Sequence, residues 1–346
     1  MLDQSHPVLP QLETRTGREW AQILARYREP NFPRAAYELL VTLVPFLGLW
    51  GLAWWALSLS PFLSVVLALC AAPFLLRLFA IQHDCGHGAF FKSRTLNDWL
   101  GRALGVVTLT PYDVWRHAHS IHHSSAGNLG RRGIGDIDTL TVAEYAARTP
   151  FQRLKYRVYR NPLVLFGLGP SYIFLLENRL PLGFMGKGRY WVSAMATNAV
   201  LAAVLGLVAW FGGAMPILLI FLPSTVLAAT AGVWLFYVQH QFETTHWEAE
   251  ENWQLHDAAL EGSSHYVLPG WLQWLSANIG IHHVHHVNSR IPFYRLPEAL
   301  RDHAQLAQIN RMTIRESLAN ARLHLWDEKA RRLLSFAEAR AVIETA

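Results

Sequence analysis

Residues 39–76 decide the fold, and their sequence is LLVTLVPFLGLWGLAWWALSLSPFLSVVLALCAAPFLL. No charged residue lies between Glu38 and Arg77, and SLSP at positions 58–61 interrupts the apolar run near its middle. Each half has about 20 residues, which is the length that an apolar α-helix needs to cross a bilayer. Because backbone polar groups must be satisfied inside the bilayer, we predict two spanning helices joined as a hairpin.

A second apolar run has the same form. It lies between Arg189 and Glu243, contains no charged residue, and is interrupted by GGAMP at positions 212–216. The composition agrees, with 52% hydrophobic residues and a mean hydropathy of +0.15. We therefore predict an all-α integral membrane protein with four transmembrane helices in two hairpins and a cytoplasmic helical cap. Its single domain comprises a cytoplasmic N-terminal segment 1–35, hairpin 39–81, cytoplasmic region 82–189, hairpin 190–240 and cytoplasmic region 241–346.

Lysine and arginine indicate the orientation. They are absent from both hairpin turns and frequent elsewhere, so the termini and all histidines are predicted to be cytoplasmic, in a bacterial inner membrane. The N-terminal segment lacks an apolar core and contains Pro7, Pro10, Pro30 and Pro33, so we expect no cleavable signal peptide. A net charge of +5 suits an anionic leaflet better than nucleic acid. The short apolar stretch 161–176 is predicted to be interfacial or re-entrant, with a full span as the alternative.

Three histidine clusters, HDCGH at 83–87, HSIHH at 119–123 and HHVHH at 282–286, repeat one geometry. On a helix, residues at i, i+3 and i+4 share one face. Histidine is the commonest side-chain metal ligand, and a purely structural explanation would need the same coincidence three times. We therefore predict a metal site in the cap, just outside the lipid. The histidines on the shared faces are His83, His87, His119, His122, His123, His282, His285 and His286, whereas His117 and His283 fall off these faces.

The spacing alone does not identify the metal. Imidazole ligands, with no carboxylate on the shared helical faces, suit zinc, iron, copper or nickel. The number of histidines exceeds what one ion needs, so two ions with four or five ligands each is the simplest division. Cys70 lies within a predicted span and Cys85 is better explained by packing, so we expect no thiolate site. Two redox-active ions beside a membrane would suit oxygen activation and oxidation of a lipid-soluble substrate.

The order of these clusters resembles the integral-membrane fatty acid desaturase family. The family pattern is HxxxH, HxxHH and HxxHH, with two spans before the first cluster and two between the second and third. Supporting motifs in this sequence are HDCGHG at 83–88, PYDVWR at 111–116, GDIDT at 135–139 and NIG at 278–280. The resemblance covers residues 39–296. It implies a non-haem di-iron centre that uses O₂ and two electrons to remove two hydrogens from an acyl chain.

Carried over to this sequence, the resemblance implies that the eight cluster histidines are iron ligands. It also implies a ninth ligand after the fourth span, which matches His240, with His246 as the competing candidate. Acyl-CoA desaturases place an asparagine four residues before that histidine, where this chain has Phe236. Side chains outside the ligand set must fix the imidazole tautomers. The candidates are Asn278, which precedes His282 by four and is predicted to share its helical face, and Asp84, Asp113, Asp136, Asp138 and Glu243.

The first cluster bears on the substrate. HxxxH with an Asp-Cys-Gly interior resembles the acyl-lipid Δ12/ω6 group, so we expect a cis double bond to be introduced into an oleoyl chain of a membrane lipid. A fatty acid hydroxylase or a carotenoid ketolase would keep the same histidines. A non-redox metal carrier or sensor is the alternative from another class, but carriers usually place ligands within their spans. In this sequence the four predicted spans hold no histidine until their cytoplasmic ends.

The electron donor is expected to be a separate protein. The chain has neither a His-Pro-Gly-Gly haem-binding motif nor a cysteine cluster for iron–sulfur ligation. Ferredoxin is the first expectation and cytochrome b5 the alternative. Basic residues after the second cluster could form the docking face or could meet lipid headgroups instead. They are Arg131, Arg132, Lys155, Arg157 and Arg160.

Two further expectations concern structure rather than chemistry. Arg77 lies near the cytoplasmic end of a span, so its guanidinium is expected to extend along the helix to the interface. The C-terminal segment 298–346 has charged residues among apolar positions. This pattern predicts amphipathic helices whose role is packing.

Overall fold

The computed structural model describes residues 15–345, so Pro7 and Pro10 lie outside the described residues. Within this range the chain is mostly helical, as predicted. Its α-helices are Gly17–Leu24, Phe32–Ala56, Pro61–His87, Arg94–Val107, Tyr112–Ser125, Val142–Ala147, Pro150–Tyr159, Gly169–Leu175, Gly188–Gly212, Leu222–His240, Leu255–Glu261, Gly270–Leu275, His282–Val287, Leu296–Asp302, Ile314–Asn320 and Phe336–Thr345. Short 3-10 turns cover Ala25–Tyr27, Glu177–Arg179, Phe293–Arg295 and Leu306–Gln308, and π-helical turns cover Val164–Leu168 and Ile217–Phe221.

Four helices are long and apolar enough to cross a membrane, which confirms the predicted number. These spans, numbered in chain order, are Phe32–Ala56, Pro61–His87, Gly188–Gly212 and Ile217–His240. The first and second spans extend beyond the charge-free run at both its ends. Their ends follow local rules, because the Asn31 and Ser60 side chains cap the first and second spans. Gly88, with a φ of 69°, ends the second span in the left-handed conformation that favours glycine.

Small and large residues divide between the inside and outside of the spans. The first, second and fourth spans pack together, whereas the third also contacts the helices Arg94–Val107 and Tyr112–Ser125. Ala53, Ala68 and Ala71 are fully buried and allow close approach of the helices. Large apolar side chains point outward, with an exposed fraction of 78% for Phe62 and 84% for Trp210. This distribution fits helices whose outer surface meets lipid tails.

The stretch 161–176 does not form a fifth span. It contains the π-helical turn Val164–Leu168 followed directly by the helix Gly169–Leu175, which packs on the fourth span. At 1.5 Å per residue, these two elements together are far shorter than the roughly 30 Å hydrocarbon core. The alternative of a full span is therefore wrong.

The C-terminal segment is only partly helical, which corrects the prediction for 298–346. Three short strands there pair with each other or with strands beside the second and third clusters, and they tie this segment to the cap. Their apolar side chains are buried by pairing partners that are distant in sequence, which a local helical pattern cannot predict. Strand Leu325–Asp327 pairs parallel with Leu140–Thr141 and antiparallel with Arg332–Leu334, and Arg311–Thr313 pairs parallel with His265–Val267.

Arg77 does not extend to the interface, so that expectation is also wrong. Its side chain is 1% exposed and pairs with Glu38 of the first span, which is equally buried. The guanidinium also donates to the Thr42 hydroxyl (3.0 Å) and to the carbonyl of Trp274. A buried guanidinium needs such partners because desolvation without them is costly. The ion pair thus joins the first two spans to the segment that precedes the third cluster.

Candidate metal centre

Four elements bring the predicted ligands together at one end of the spans. The first cluster forms the last turn of the second span, and the second lies on Tyr112–Ser125, the second-cluster helix. The third cluster occupies His282–Val287, and His240 is the last residue of the fourth span. Each cluster is helical, as its spacing predicted. The imidazoles therefore converge where two spans meet two cap helices.

The nine predicted histidines form two groups. Within each group, one ligand atom per residue lies within 4.8 Å of all the others. Each of the three clusters contributes to at least one group, and the second and third clusters contribute to both. The five-histidine group contains His83, His87, His119, His123 and His285, and the four-histidine group contains His122, His240, His282 and His286.

The spacing of Nε2 atoms fits metal coordination. In the four-histidine group, Nε2 of His240 lies 2.9 Å from that of His282 and 3.2 Å from that of His122. In the five-histidine group, Nε2 of His119 lies 3.1 Å from those of His87 and His123. For imidazole nitrogens about 2.1 Å from an ion, two ligands at right angles are about 3.0 Å apart. The nitrogens are thus placed as if around common centres.

The protonation state of the cap histidines also fits metal binding. Loss of hydration lowers the pKa of His119, His123, His282, His285 and His286 well below the ordinary value, and neighbouring imidazoles lower it further. These side chains are therefore neutral at pH 7, which is the form that binds metals. Two buried nitrogens, Nδ1 of His282 and Nδ1 of His286, have no hydrogen-bond partner among the described residues.

Two of the predicted carboxylates contact the cluster histidines. An oxygen of Asp136 contacts Nδ1 of His122, and both side chains are buried or nearly so. Asp84 has one oxygen 3.5 Å from Nδ1 of His83, and its other oxygen accepts a 2.7 Å hydrogen bond from the Phe293 amide. A carboxylate at Nδ1 holds the proton there and leaves Nε2 free for a metal.

The other candidates lie in different surroundings. Asp113 pairs with Arg102 at 3.0 Å, and Glu243 pairs with Arg332 at 2.9 Å on the surface. The side chain of Asp138 is exposed. None of the three makes a side-chain hydrogen bond to a cluster histidine within the described range.

Asn278 does not share a helical face with His282, contrary to the prediction. It has a φ of 55°, and the third-cluster helix begins only at His282. Its side-chain amide donates to the carbonyl of Phe293 at 3.1 Å. Asn278 thus helps to hold Phe293, which follows the third cluster. The backbone amide of Phe293 in turn donates to Asp84, beside the first cluster. The left-handed turn at Asn278 interrupts the helix that the spacing assumed.

His246 is absent from both histidine groups. Its Nδ1 lies 3.0 Å from a carboxylate oxygen of Glu261, outside the clusters. His117 stacks on Tyr190, and Nε2 of His283 faces the carbonyl of Leu306 at 2.8 Å. These three histidines therefore have protein partners of their own.

Three residues that contact the site were not predicted to do so. The Gly262 carbonyl lies 3.1 Å from Nδ1 of His240, and no sequence pattern marks it. Trp115 stacks on His119 with ring centroids 4.7 Å apart, and its position four residues earlier on the same helix was a usable signal. The ring of Phe236 lies 5.2 Å from that of His122 and 5.4 Å from that of His240. An apolar ring therefore borders the four-histidine group.

Two of the five basic residues predicted to form a docking face are buried or nearly so. Arg160 is fully buried, and one of its nitrogens donates to Gln241 at 2.9 Å. Arg132 forms an ion pair with Glu144, and only 15% of its side chain is exposed. Neither can present a free charge to a partner, so their assignment to that face is wrong. Of the five residues, Arg131, Lys155 and Arg157 are exposed.

Four spanning helices, with two histidine groups where the second and fourth spans meet two cap helices, define a membrane protein with a candidate histidine metal site. The chain belongs to the fatty acid desaturase family, whose model matches residues 59–317. It is 44% identical to a fatty acid desaturase from Bacillus subtilis over 314 residues, which cover 90% of this chain and 89% of the relative.

More distant relatives carry more specific names. An sn-1 oleoyl-lipid 12-desaturase from Arthrospira platensis is 24% identical, with 77% of this chain and 75% of the relative covered. An sn-1 acyl-lipid omega-3 desaturase (ferredoxin) from Synechocystis sp. is 28% identical, with 64% and 62% covered. As a member of the fatty acid desaturase family, the chain is an oxidoreductase that acts on a lipid substrate and needs an electron donor.

Proposed function

We propose that the protein is an O₂-dependent acyl-lipid desaturase whose two histidine groups each hold one iron ion. The observation that carries this proposal is the convergence of Nε2 atoms in two separate groups beside the ends of two spans. Zinc, copper and nickel also accept imidazole, so the choice of iron rests on the family. The ligand set is the nine histidines of the two groups.

The reaction balances with two external electrons. An acyl –CH₂–CH₂– unit, O₂, two electrons and two protons give –CH=CH– and two molecules of water. Two C–H bonds break and one carbon–carbon π bond forms, so the chain loses two electrons and O₂ gains four. Bound iron would supply the O₂ chemistry that removes hydrogen from an unactivated methylene.

The protein's own groups orient and shield the ligands. The Nδ1–H group of His122 donates a hydrogen bond to Asp136, and the Nδ1–H group of His240 donates one to the Gly262 carbonyl. Both contacts turn Nε2 toward the centre of the four-histidine group. Phe236 covers one side of these imidazoles with an apolar ring, which limits access of water. The chain therefore fixes the tautomers and the polarity of the site before a metal binds.

For the substrate, we propose the oleoyl chain of a membrane glycerolipid, with a cis double bond introduced at the Δ12/ω6 position. Support comes from the Asp-Cys-Gly interior of the first cluster and from distant relatives named sn-1 oleoyl-lipid 12-desaturases. For the donor, we propose ferredoxin, with cytochrome b5 as the alternative. A ferredoxin-named relative favours the former.

For the orientation, we propose that the termini and the histidine groups face the cytoplasm of a bacterial inner membrane. Both hairpin turns lack lysine and arginine, whereas the segments on the other side of the spans are rich in them. The histidine groups lie at that basic end. A cytoplasmic site would give a soluble reduced donor direct access.

The test is product analysis in a host that makes oleate but no dienes. Expression of the wild type should add a diene to membrane lipids, and His285→Ala should abolish it by removing a ligand. His117→Ala is the matched control, because His117 lies on the second-cluster helix outside both groups. A hydroxylated or oxygenated product would move the assignment to a hydroxylase or ketolase, and unchanged lipids with bound zinc would favour a carrier or sensor.

A further inference from the structure

A cavity of about 510 Å³ opens onto the metal-site histidines from the side of the cap. Its walls come from the end of the second span, the second-cluster helix, the end of the third-cluster helix with the residues that follow it, and the helix Leu255–Glu261. The start of the helix Arg94–Val107 and the segment before the first span add one arginine each. It reaches imidazoles of both groups, and arginines border it. The histidines of the two groups that line it are His87, His119, His123 and His286, and the arginines are Arg28, Arg94, Arg116 and Arg290. His256, which belongs to neither group, also lines it.

The charge of this cavity is one-sided. No aspartate or glutamate is among the described residues that line it, whereas four arginines are. Arg94 and Arg116 share one carboxylate, Asp98, at 3.2 Å and 2.8 Å. Arg28 donates to the neutral Asn288 at 2.8 Å, and Arg290 is exposed. The cavity therefore keeps an excess of positive charge.

The lining is too polar for an acyl chain. Leu255 and Val287 are its only large apolar side chains among the described residues. Sites that enclose hydrocarbon ligands are lined predominantly by apolar and aromatic groups. The cavity is thus better suited to an anionic surface than to the substrate's tail.

We propose that this arginine-bordered cavity is the docking site for an acidic, soluble one-electron donor protein of the ferredoxin type. The inference rests on the proposed desaturase function, which requires two electrons for each double bond. Two reduced donor molecules dock in turn, and each becomes oxidised by one electron. Positive charge on the enzyme and negative charge on the donor accelerate encounter and fix its orientation.

The position of the cavity supports this role. His87, His119 and His123 belong to the five-histidine group and His286 to the four-histidine group, so a docked donor faces both. Entry from the cap side also leaves the lipid-facing side of the site free for the acyl chain. The cavity therefore replaces the surface around Arg131 as the docking face.

The experiment varies ferredoxin concentration with purified, iron-loaded full-length enzyme at saturating oleoyl lipid. Arg290→Glu should raise the KM for ferredoxin about three- to tenfold and flatten the dependence of the rate on salt. Arg290→Lys keeps the charge and should restore a KM near that of the wild type. Lys155→Glu is the matched control, because Lys155 is exposed but does not line the cavity.

A single turnover after reduction with dithionite counts the competent sites in each preparation without a donor protein. It therefore distinguishes failure of the proposed desaturase function from failure of the proposed docking site. If the wild type forms no double bond even then, the proposed function fails. If it does, but Arg290→Glu and Lys155→Glu have the same KM for ferredoxin, the docking site is refuted. A raised KM for the acyl lipid instead would assign the arginines to a lipid headgroup and also overturn the proposal.

Discussion

Replacing Arg77 with methionine should destabilise the protein by about 3–5 kcal/mol, because it leaves Glu38 buried without its main partner. The Glu38 side chain is 1% exposed, and its remaining partner Arg34, at 2.7 Å, is itself half exposed. The substitution also removes cation–π contacts of the guanidinium with the rings of Trp274 (4.2 Å) and Phe293 (5.1 Å). Such contacts contribute about 0.5–2 kcal/mol each.

Thermal unfolding of the purified protein in detergent measures this loss. At about 2 °C per kcal/mol for a large chain, the Tm should fall by about 6–10 °C. The double variant Glu38→Gln/Arg77→Met should recover part of the loss, since no buried charge is left unpaired. Arg301→Met is the control, because Arg301 is 74% exposed and its nearest carboxylate, on Asp302, is 3.9 Å away. We expect about 0.5 kcal/mol or less there.

Two results would refute this reasoning. A Tm for Arg77→Met within about 2 °C of that for Arg301→Met would mean that Arg77 reaches water in the purified protein. If the Tm losses of Glu38→Gln and Arg77→Met, each measured alone, add up to the loss of the double variant, Glu38 and Arg77 are not coupled. Iron content should be measured on the same samples, because Arg77 also donates to the carbonyl of Trp274, in the segment before the third cluster.

Three further outcomes are expected. Asp136→Asn should lower iron affinity or turnover about 10- to 100-fold by releasing the orientation of His122, and a metal titration of the purified variant checks this. His240→Ala should lose iron whereas His246→Ala should keep it, and the reverse would exchange their roles. Gly101→Ala should lower stability by about 1–3 kcal/mol in thermal unfolding, because the added Cβ would lie 2.2 Å from the ring of Tyr112, the first residue of the second-cluster helix.

Much of the fold and site could be predicted because the signals are local. Spans are encoded in continuous apolar runs, and the i, i+4 spacing of His83 and His87 needs only one helix to become a shared face. The grouping of histidines could not be predicted in the same way. His122 and His123 are adjacent in sequence but belong to different groups, because tertiary packing decides which partner each imidazole faces.

The errors have the same physical origin. The spacing of Asn278 and His282 implied one helix, but Ala277 and Asn278 both adopt positive φ and separate two helices. Arg77 was expected to reach water because its own helix offers no partner. Its actual partner, Glu38, lies on another helix. Arg160 looked like a surface charge, but its acceptors come from segments distant in sequence, such as Gln241. For Arg77 and Arg160, contacts between segments distant in sequence override the local pattern, and for Asn278 two adjacent left-handed residues do so.

Metal quantification tests the central claim most directly. Purified wild type, His286→Ala and the control His117→Ala should be analysed for iron, zinc and copper per chain, together with their conversion of oleoyl lipid. We predict two irons per wild-type and His117→Ala chain, with a diene as product, and a loss of iron and product in His286→Ala. One ion per chain, or zinc in place of iron in an active preparation, would contradict the account.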